Sequence, residues 1–414
     1  MKILMLGRWI PPPRRPVRGT REYQFAHHLA QRHQLTLAFI VDHREAAGPI
    51  SVLRSEFGDL EFAAIPRGWK SLASAVRLAG GESCTLSYFR SQALRTRLEE
   101  RVRRTGYDLV FVSSSSMIQY ALEVGPDVPM VIDFGELDSE WWVRQASRGS
   151  FPAARFFRTE AARLRAAETA AAHRADLCLA ETAEAAEIVR SLGASCPVGI
   201  IPSGIEVDAR GPAARVDQPP TIVFNGVFRE GTDPKDTLDF CQSIMAGARA
   251  CIPKVRFVIA SKEPAPGIRA GRAIDGLDFV LAPPALRALF HDRAVAVARP
   301  GSGFDQRVSI LEPMAAGIPV VTTPEVCERL GACPGRDVRV AVTAADFWLQ
   351  ATELLGSSAL REEVGTQGRA FLEATLSWDT VAPRLDPLLA GVVKGGPTSP
   401  PTTKPRPTAV VRGG

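Results

Sequence analysis

One carboxylate, Glu312, lies near the start of a segment, 309–323, that otherwise contains apolar and small residues. The spacing predicts a helix over 310–316, a glycine-containing turn over 317–319 and a buried strand over 320–322. A carboxylate in this position can accept two hydrogen bonds from vicinal hydroxyls, such as those of a ribose. Alternatively, the carboxylate only stabilises the helix, because a negative charge complements the positive end of the helix dipole.

A glycine-containing loop precedes the predicted helix and could hold a phosphate. A strand-like run over 294–298 leads into this loop. The polar, charged or flexible residues of the loop are Ser302, Gly303, Asp305, Arg307 and Ser309. A flexible loop, a helix N-terminus and a basic side chain together form a phosphate cradle. Because a strand ends where the loop begins, we expect this site at the carboxyl edge of a parallel sheet, where open α/β sheets bind ligands.

Two other loops that follow predicted strands contain residues suited to ligand binding. In the first, Gly19 allows a ligand close to the backbone, and Thr20 can cap the next helix so that its amides point towards the ligand. In the second, Gly226 lets a diphosphate lie against the backbone beside Asn225, and Arg229 can neutralise its charge. The first loop is equally well explained as a capped helix behind a proline-rich segment.

Four carboxylates cluster where another predicted strand ends, at Asp133, Glu136, Asp138 and Glu140. They suggest hydrogen bonds to sugar hydroxyls, or a cap for a helix that begins at Trp141. Asp138 is the candidate catalytic carboxylate of a cleft, with helix capping as its alternative role.

The elements that must position these residues form two alternating series of strands and helices, which predict parallel sheets. The first series occupies 1–205 and the second 220–376, with a Pro/Gly-rich linker over 206–219. Segment 377–392 predicts a helix that packs back on the domain pair, and 393–414, rich in Pro, Thr and Gly, predicts a disordered tail. We therefore expect an α/β protein with two tandem Rossmann-like, doubly wound domains and a ligand site in the cleft between them.

The composition agrees with a soluble protein of this size. A chain of 414 residues suits two domains, and its contents of 45% hydrophobic and 23% charged residues are ordinary. No apolar run is long enough to span a bilayer, and the short apolar N-terminal run predicts a strand rather than a signal peptide. We therefore expect a cytoplasmic location. The 7 cysteines and 6 histidines show no metal-ligand spacing, so we expect reduced thiols, no metal and no cofactor.

The net charge is only +5, but basic residues concentrate in 1–35 and 90–104. Such surfaces suit anionic lipid, phosphorylated substrates or nucleic acid, although solvated faces of arginine-rich helices explain the same pattern. The sequence lacks helix-turn-helix, RNP and zinc-finger patterns, so we expect no nucleic-acid partner. Peripheral association with an anionic inner membrane face is a hypothesis in which Arg97, Arg101 and Arg104 contribute.

Segment 309–323 closely resembles the LEAMAxGxPVV signature of the nucleotide-sugar-binding domain in glycosyltransferase family 4. The resemblance implies the GT-B arrangement of two Rossmann-like domains, with Glu312 holding the ribose of a nucleotide diphosphate sugar and the loop at Gly19 facing the donor. It also implies transfer of the sugar to a polysaccharide or lipid-linked glycan acceptor, with retention of configuration and without a metal. Arg307 and helix N-termini would offset the charge of the departing diphosphate.

Three segments, 138–140, 224–226 and 236–241, are similar to a family 4 subgroup associated with exosortase (PEP-CTERM) exopolysaccharide loci. The chain departs from family 4 eight residues before Glu312, where the usual Glu is Phe304. Two other functions therefore stay open. One is a nucleotide-sugar epimerase of the same architecture, and the other is a non-catalytic GT-B scaffold of a polysaccharide assembly complex.

Overall fold

The computed structural model of the protein contains two parallel β-sheets, each with a hydrophobic core on both faces. The residues that the structure describes are 1–8, 20–42, 47–65, 81–124, 128–207, 218–225, 234–261, 277–281, 288–299 and 310–394. Almost all of the tail predicted over 393–414 lies outside these ranges. None of the helices within them has the length and hydropathy needed to cross a lipid bilayer.

The first sheet is built from the first half of the chain. Its strands are β1 (Lys2–Gly7), β2 (Gln34–Asp42), β3 (Asp59–Ile65), β4 (Leu109–Ser113), β5 (Met130–Gly135), β6 (Leu177–Ala180) and β7 (Val198–Ile200). Its helices are α1 (Arg21–Ala30), α2 (Ala47–Phe57), α3 (Cys84–Tyr88), α4 (Gln92–Thr105), α5 (Ile118–Val124), α6 (Asp138–Arg148), α7 (Ala153–Arg174) and α8 (Ala183–Ser191). All pairings are parallel, in the order β3-β2-β1-β4-β5-β6-β7.

The second sheet is built from the later half. Its strands are β8 (Thr221–Asn225), β9 (Arg256–Ser261), β10 (Leu277–Leu281), β11 (Ala294–Val297), β12 (Val320–Thr322) and β13 (Arg339–Val340). The helices that accompany it are α9 (Pro234–Cys251), α10 (Glu312–Ala315), α11 (Pro324–Leu330), α12 (Ala344–Gly356) and α13 (Ser358–Thr375). Its strands are also parallel, in the order β10-β9-β8-β11-β12-β13. We call the two sheets with their helices the first and second domains.

Strands buried on both faces of a parallel sheet need apolar residues at successive positions, and β1 shows how the sequence provides them. Leu4 and Leu6 enter the core on one face of the first sheet, whereas Ile3 and Met5 enter the core on the other face. Strand β8 repeats this alternation in the second sheet. Each domain is therefore a three-layer α/β unit, as the alternating sequence pattern predicted.

The order of strands reverses between β1 and β4 in the first sheet and between β8 and β11 in the second. At such a reversal the connecting loops leave the sheet in opposite directions, which opens a crevice at the carboxyl ends of the strands. Arg8 follows β1 at the first reversal, and Arg299 lies just after β11 at the second. These two edges are the expected places for ligands.

The last helices return from the second sheet and pack on the first. Helices α14 (Trp378–Val381) and α15 (Leu385–Lys394) contribute to the core beside α1. The Trp378 ring meets Phe25 of α1 edge-on, with a centroid distance of 5.9 Å. The N–H of Ile205 donates to Leu376 O (2.8 Å), and the N–H of Trp378 donates to Ile205 O (3.2 Å). The two chain segments that run between the sheets therefore support each other.

This packing predicts the effect of Gly204→Ala. A Cβ at Gly204 would lie 2.6 Å from the indole of Trp378, closer than a carbon contact allows. We expect the free energy of unfolding, measured by chemical denaturation, to fall by about 1–3 kcal/mol because the indole must move. The matched control is Gly391→Ala in α15, where a Cβ meets nothing within 4 Å and alanine favours the helix. A Gly204→Ala protein as stable as the wild type would contradict the packing.

Candidate active site

A pocket of about 510 Å³ lies at the carboxyl edge of the first sheet. Arg8 enters it from the end of β1, and Asp138 enters it from the start of α6. The other lining residues come from α3, from α6 and from the loop before α6: Cys84, Thr85, Tyr88, Phe89, Glu136, Leu137, Trp141, Trp142 and Arg144. We call it the aromatic pocket because Tyr, Phe and Trp side chains form much of its wall. It lies beside the reversal of strand order, where α/β sheets bind ligands.

Asp138 is the first residue of α6, so the prediction that this helix begins at Trp141 is wrong by three residues. Leu137 occupies the N-cap position and no side chain caps the helix, so Asp138 does not have the capping role that was its alternative. The side chain of Asp138 is 25% exposed, and Arg8 Nη1 lies 3.8 Å from its Oδ1. Burial raises the pKa of Asp138, while Arg8 and the Ser114 hydroxyl oppose this shift.

Ser114, directly after β4, contacts Asp138 from the other side. Its hydroxyl donates to Asp138 Oδ2 at 3.4 Å. Its backbone has a φ of 81°, which is rare for a residue with a Cβ. Strained residues of this kind cluster at ligand sites, where the surrounding structure holds them. Local sequence patterns do not single out Ser114, because its role depends on the neighbouring strand.

Glu160 of α7 fixes α3, which forms one wall of the aromatic pocket. Its Oε1 accepts from the Ser83 hydroxyl (2.7 Å) and the Thr85 N–H (2.8 Å), and its Oε2 accepts from the Cys84 N–H (2.7 Å). The residue is completely buried. A carboxylate at this place satisfies the free N–H groups at the start of α3 and complements the helix dipole.

Glu168, also on α7, fixes the start of α6, which forms the opposite wall of the aromatic pocket. Its carboxylate accepts from the N–H of Ser139 (3.1 Å), from the Ser139 hydroxyl and from the Ser115 hydroxyl (2.6 Å). Glu168 is completely buried as well, and burial raises its pKa against these hydrogen bonds. Glu168, which lies 29 positions after Ser139, therefore supplies the side-chain cap that α6 otherwise lacks.

The other three carboxylates of the predicted cluster have basic partners. Asp133 is buried and forms a bidentate ion pair with Arg21, at 2.7 Å from Nε and 2.9 Å from Nη2. The same guanidinium donates to Ile201 O at 2.6 Å, which joins α1, β5 and the end of the first domain. Glu136 pairs with an arginine at 3.1 Å and Glu140 pairs with another. Asp138 and Glu136 both line the pocket, and the basic partner of Asp138 is the more distant, at 3.8 Å against 3.1 Å for Glu136.

Three predicted donor-side residues can be located. Thr20 caps α1, since its hydroxyl accepts from the Tyr23 N–H at 3.4 Å. Glu312 is the first residue of α10 and is half-buried. The predicted helix over 310–316 is shorter than expected, because Ile310 and Leu311 form a wider π-type turn before it. Asn225 ends β8, as expected for a residue at the second reversal.

The remaining predicted donor-side residues lie outside the described part of the chain. They are Gly19, Gly226, Arg229, Ser302, Gly303, Asp305, Arg307 and Ser309. Phe304 lies outside it too.

Close backbone packing fixes the position of α10. A Cβ on Gly365 of α13 would overlap the carbonyl oxygen of Gly317, which ends the turn after α10. Gly317 itself has a φ of 75°. Glycine at both positions therefore lets α13 press α10 against the sheet, so that Glu312 is held at its carboxyl edge.

Two arginines of the basic segment over 90–104 contact β3. Arg101 Nη1 lies 2.6 Å from Asp59, and its Nε lies 2.9 Å from Glu61. Arg97 donates to Phe62 O at 2.6 Å and lies 3.8 Å from Glu61. These two arginines attach α4 to β3, and the hypothesis that the basic segment binds anionic lipid stays a prediction.

The cysteines described by the structure are free thiols. Cys178 and Cys196 are the close pair, with their sulfurs 3.6 Å apart. Within the described ranges no group of three His, Cys, Asp or Glu side chains could hold a metal ion.

Several solved structures are similar to the whole chain. Sucrose-phosphate synthase from Thermosynechococcus elongatus aligns with a TM-score of 0.60 and 14% identity, covering 95% of this chain and 99% of that one. HepE from Anabaena, in complex with UDP and glucose, aligns with a TM-score of 0.58 and 12% identity, covering 94% of this chain and 99% of that one. The α,α-trehalose 6-phosphate synthase from Burkholderia multivorans aligns with a TM-score of 0.54 and 13% identity, covering 95% of this chain and 99% of that one. The fold is GT-B. No family model and no curated protein sequence matches the chain.

The GT-B fold relates the two candidate carboxylates. Its two Rossmann-like domains are separated by a cleft, and ligands of such sheets bind at the carboxyl edges. Asp138 follows β5 in the first domain, and Glu312 starts the helix that follows β11 in the second. The two carboxylates therefore belong to the ligand-binding edges of different domains.

The raised pKa of Asp138 predicts how Asp138→Asn changes stability with pH. The folded protein holds this proton more tightly than the unfolded chain, so the wild type loses stability as the pH rises above the ordinary value of 3.8 towards the folded pKa. Because the Asp138→Asn variant lacks this group, its melting temperature relative to the wild type should increase from acidic to neutral pH. Calorimetric melting over a pH series measures this difference.

Asp346→Asn is the control with the opposite sign. Hydrogen bonds from the N–H of Thr343 (2.8 Å) and from its hydroxyl (2.9 Å) lower the pKa of Asp346, so its contribution to stability is present above the ordinary pKa and is lost at lower pH. The melting temperature of this variant relative to the wild type should decrease from acidic to neutral pH. If the melting temperatures of Asp138→Asn and the wild type change in parallel with pH, this result would contradict the burial of the Asp138 charge.

Proposed function

We propose that the protein is a glycosyltransferase that moves a sugar from a nucleotide diphosphate sugar to a glycan or lipid-linked acceptor. The observation that supports this most is the presence of one carboxylate at the ligand-binding edge of each domain of a GT-B fold. Glu312 holds such a position in the second domain, and Asp138 in the aromatic pocket of the first. HepE, which shares this fold, was solved with UDP and glucose.

In this proposal the second domain binds the donor. Glu312 accepts hydrogen bonds from both ribose hydroxyls, a task for which an ionised carboxylate has enough acceptor sites. Its place at the start of α10, held by close packing with α13, keeps the carboxylate in one position. The residues proposed to complete the donor site are Gly19, Thr20, Asn225, Gly226, Arg229, Ser302, Gly303, Asp305, Arg307 and Ser309.

The first domain binds the acceptor, and Asp138 meets its reacting hydroxyl. When this oxygen bonds to the sugar carbon, its proton must leave, and a nearby carboxylate can accept it. A raised pKa makes Asp138 a better proton acceptor than an exposed aspartate, while Arg8 at 3.8 Å favours the ionised form. Positive groups such as Arg307 would offset the charge on the departing diphosphate. Retention of configuration and independence of a metal are part of the proposal.

The resemblance to the exosortase-associated subgroup extends the proposal to exopolysaccharide synthesis, with the protein in the cytoplasm or peripherally on the inner membrane face. Two alternatives share the fold and are separated by simple assays. An epimerase would convert a nucleotide sugar without an acceptor, whereas a scaffold would neither convert nor transfer it.

The donor assignment predicts the behaviour of Glu312→Gln. A thermal-shift series with UDP, GDP and ADP first identifies the nucleotide, because a ligand that binds the folded state raises the melting temperature. Titration calorimetry with that nucleotide should then show a loss of roughly 1–3 kcal/mol in binding free energy for Glu312→Gln, the size of a lost charged hydrogen bond. The matched control is Glu363→Gln on the exposed side of α13, which should bind like the wild type.

Two outcomes would count against the proposal. If none of the nucleotides raises the melting temperature, the donor class is wrong. If folded Glu312→Gln binds the nucleotide as tightly as the wild type, the nucleotide binds elsewhere and Glu312 serves only its helix.

A further inference from the structure

The rim of the aromatic pocket leaves two large aromatic side chains half in water. Trp141 is 45% exposed and Tyr88 is 43% exposed, and both line the pocket. Tyr88 meets Phe89 edge-on at 5.0 Å, and Trp141 meets Trp142 edge-on at 4.7 Å. Covering such rings with an apolar group removes their surface from water, which favours binding.

Contacts with two neighbouring helices hold this aromatic wall in place. The indole N–H of Trp142 donates to the Thr85 hydroxyl at 3.1 Å, which ties α6 to α3. On its other side Trp142 packs against Phe156 (6.0 Å) and Phe157 (5.5 Å) of α7. A preformed wall spares the ligand most of the cost of ordering side chains.

The charges of the described residues that line the pocket are balanced. Arg8 lies 3.8 Å from Asp138, and Arg144 lies 3.1 Å from Glu136. These two arginines and two carboxylates are the charged side chains of the described lining, and they cancel in pairs. An anionic head group would have to compete with these carboxylates, whereas a neutral hydroxyl can donate to Asp138 and accept from Arg8.

We propose that the aromatic pocket binds an amphiphile: an uncharged head with hydroxyl groups lies against Asp138 and Arg8, and an apolar tail covers Trp141 and Tyr88. The role of this amphiphile as the sugar acceptor rests on the proposed function. Its binding to the pocket follows from the aromatic rim and the balanced charges.

Titration calorimetry with two glucosides tests the binding. The probes are hexyl β-glucoside, used below its micelle concentration, and methyl β-glucoside, which has the same head without the tail. Two buried methylene groups correspond to about tenfold in affinity, so hexyl glucoside should bind at least about tenfold more tightly. Trp141→Ala should abolish most of this advantage. Phe151→Ala is the control, since Phe151 is 80% exposed but lies outside the pocket lining, and it should keep the advantage.

Several results would overturn the proposal. Equal affinity for the two glucosides would show that nothing apolar is bound, and absence of binding by both would show that the pocket does not take this class of ligand. An unchanged advantage in Trp141→Ala, or an equal loss in Phe151→Ala, would place the tail elsewhere. The nucleotide titration is run on the same variants, so a failure of the donor site is recognised separately from a failure of the amphiphile site.

Discussion

Two buried carboxylates on α7 determine where the walls of the aromatic pocket lie. Glu160 and Glu168 are about two helical turns apart, and each occupies the N-terminus of another helix, α3 for the first and α6 for the second. Both are completely buried, so their desolvation is offset only while these hydrogen bonds are made. The positions of Tyr88 and Trp141, which α3 and α6 carry, follow from this constraint.

The same constraint places Asp138 in the pocket. Because Glu168 takes over the capping of α6, the helix can begin with Asp138, whose carboxylate is then left to meet Arg8 and Ser114. Its partial burial raises its pKa and costs stability near neutral pH, a common feature of groups kept for chemistry. A site with a costly carboxylate, a strained serine and half-exposed aromatic rings is more simply explained by ligand binding than by folding.

The sequence predicted the fold well because parallel strands buried on both faces are continuous apolar runs, such as β1 and β6. The edge strands β7 and β13 contain 3 and 2 residues, which is too short for such a run. The start of α6 was misplaced because its cap, Glu168, is distant in sequence. The partners of Arg101 were hidden from the sequence for the same reason, since they lie on β3. Local patterns reveal elements, whereas the polar contacts that complete a site are made between elements.

In the proposed arrangement, one cleft holds a nucleotide sugar on the second domain and an acceptor hydroxyl beside Asp138 on the first. A crystal structure of the protein with UDP would reveal whether the nucleotide binds in this way. We expect both ribose hydroxyls within hydrogen-bonding distance of Glu312, about 2.6–3.2 Å, and the diphosphate directed towards the aromatic pocket. A nucleotide bound with its ribose away from Glu312, or with its phosphates directed away from the first domain, would contradict it.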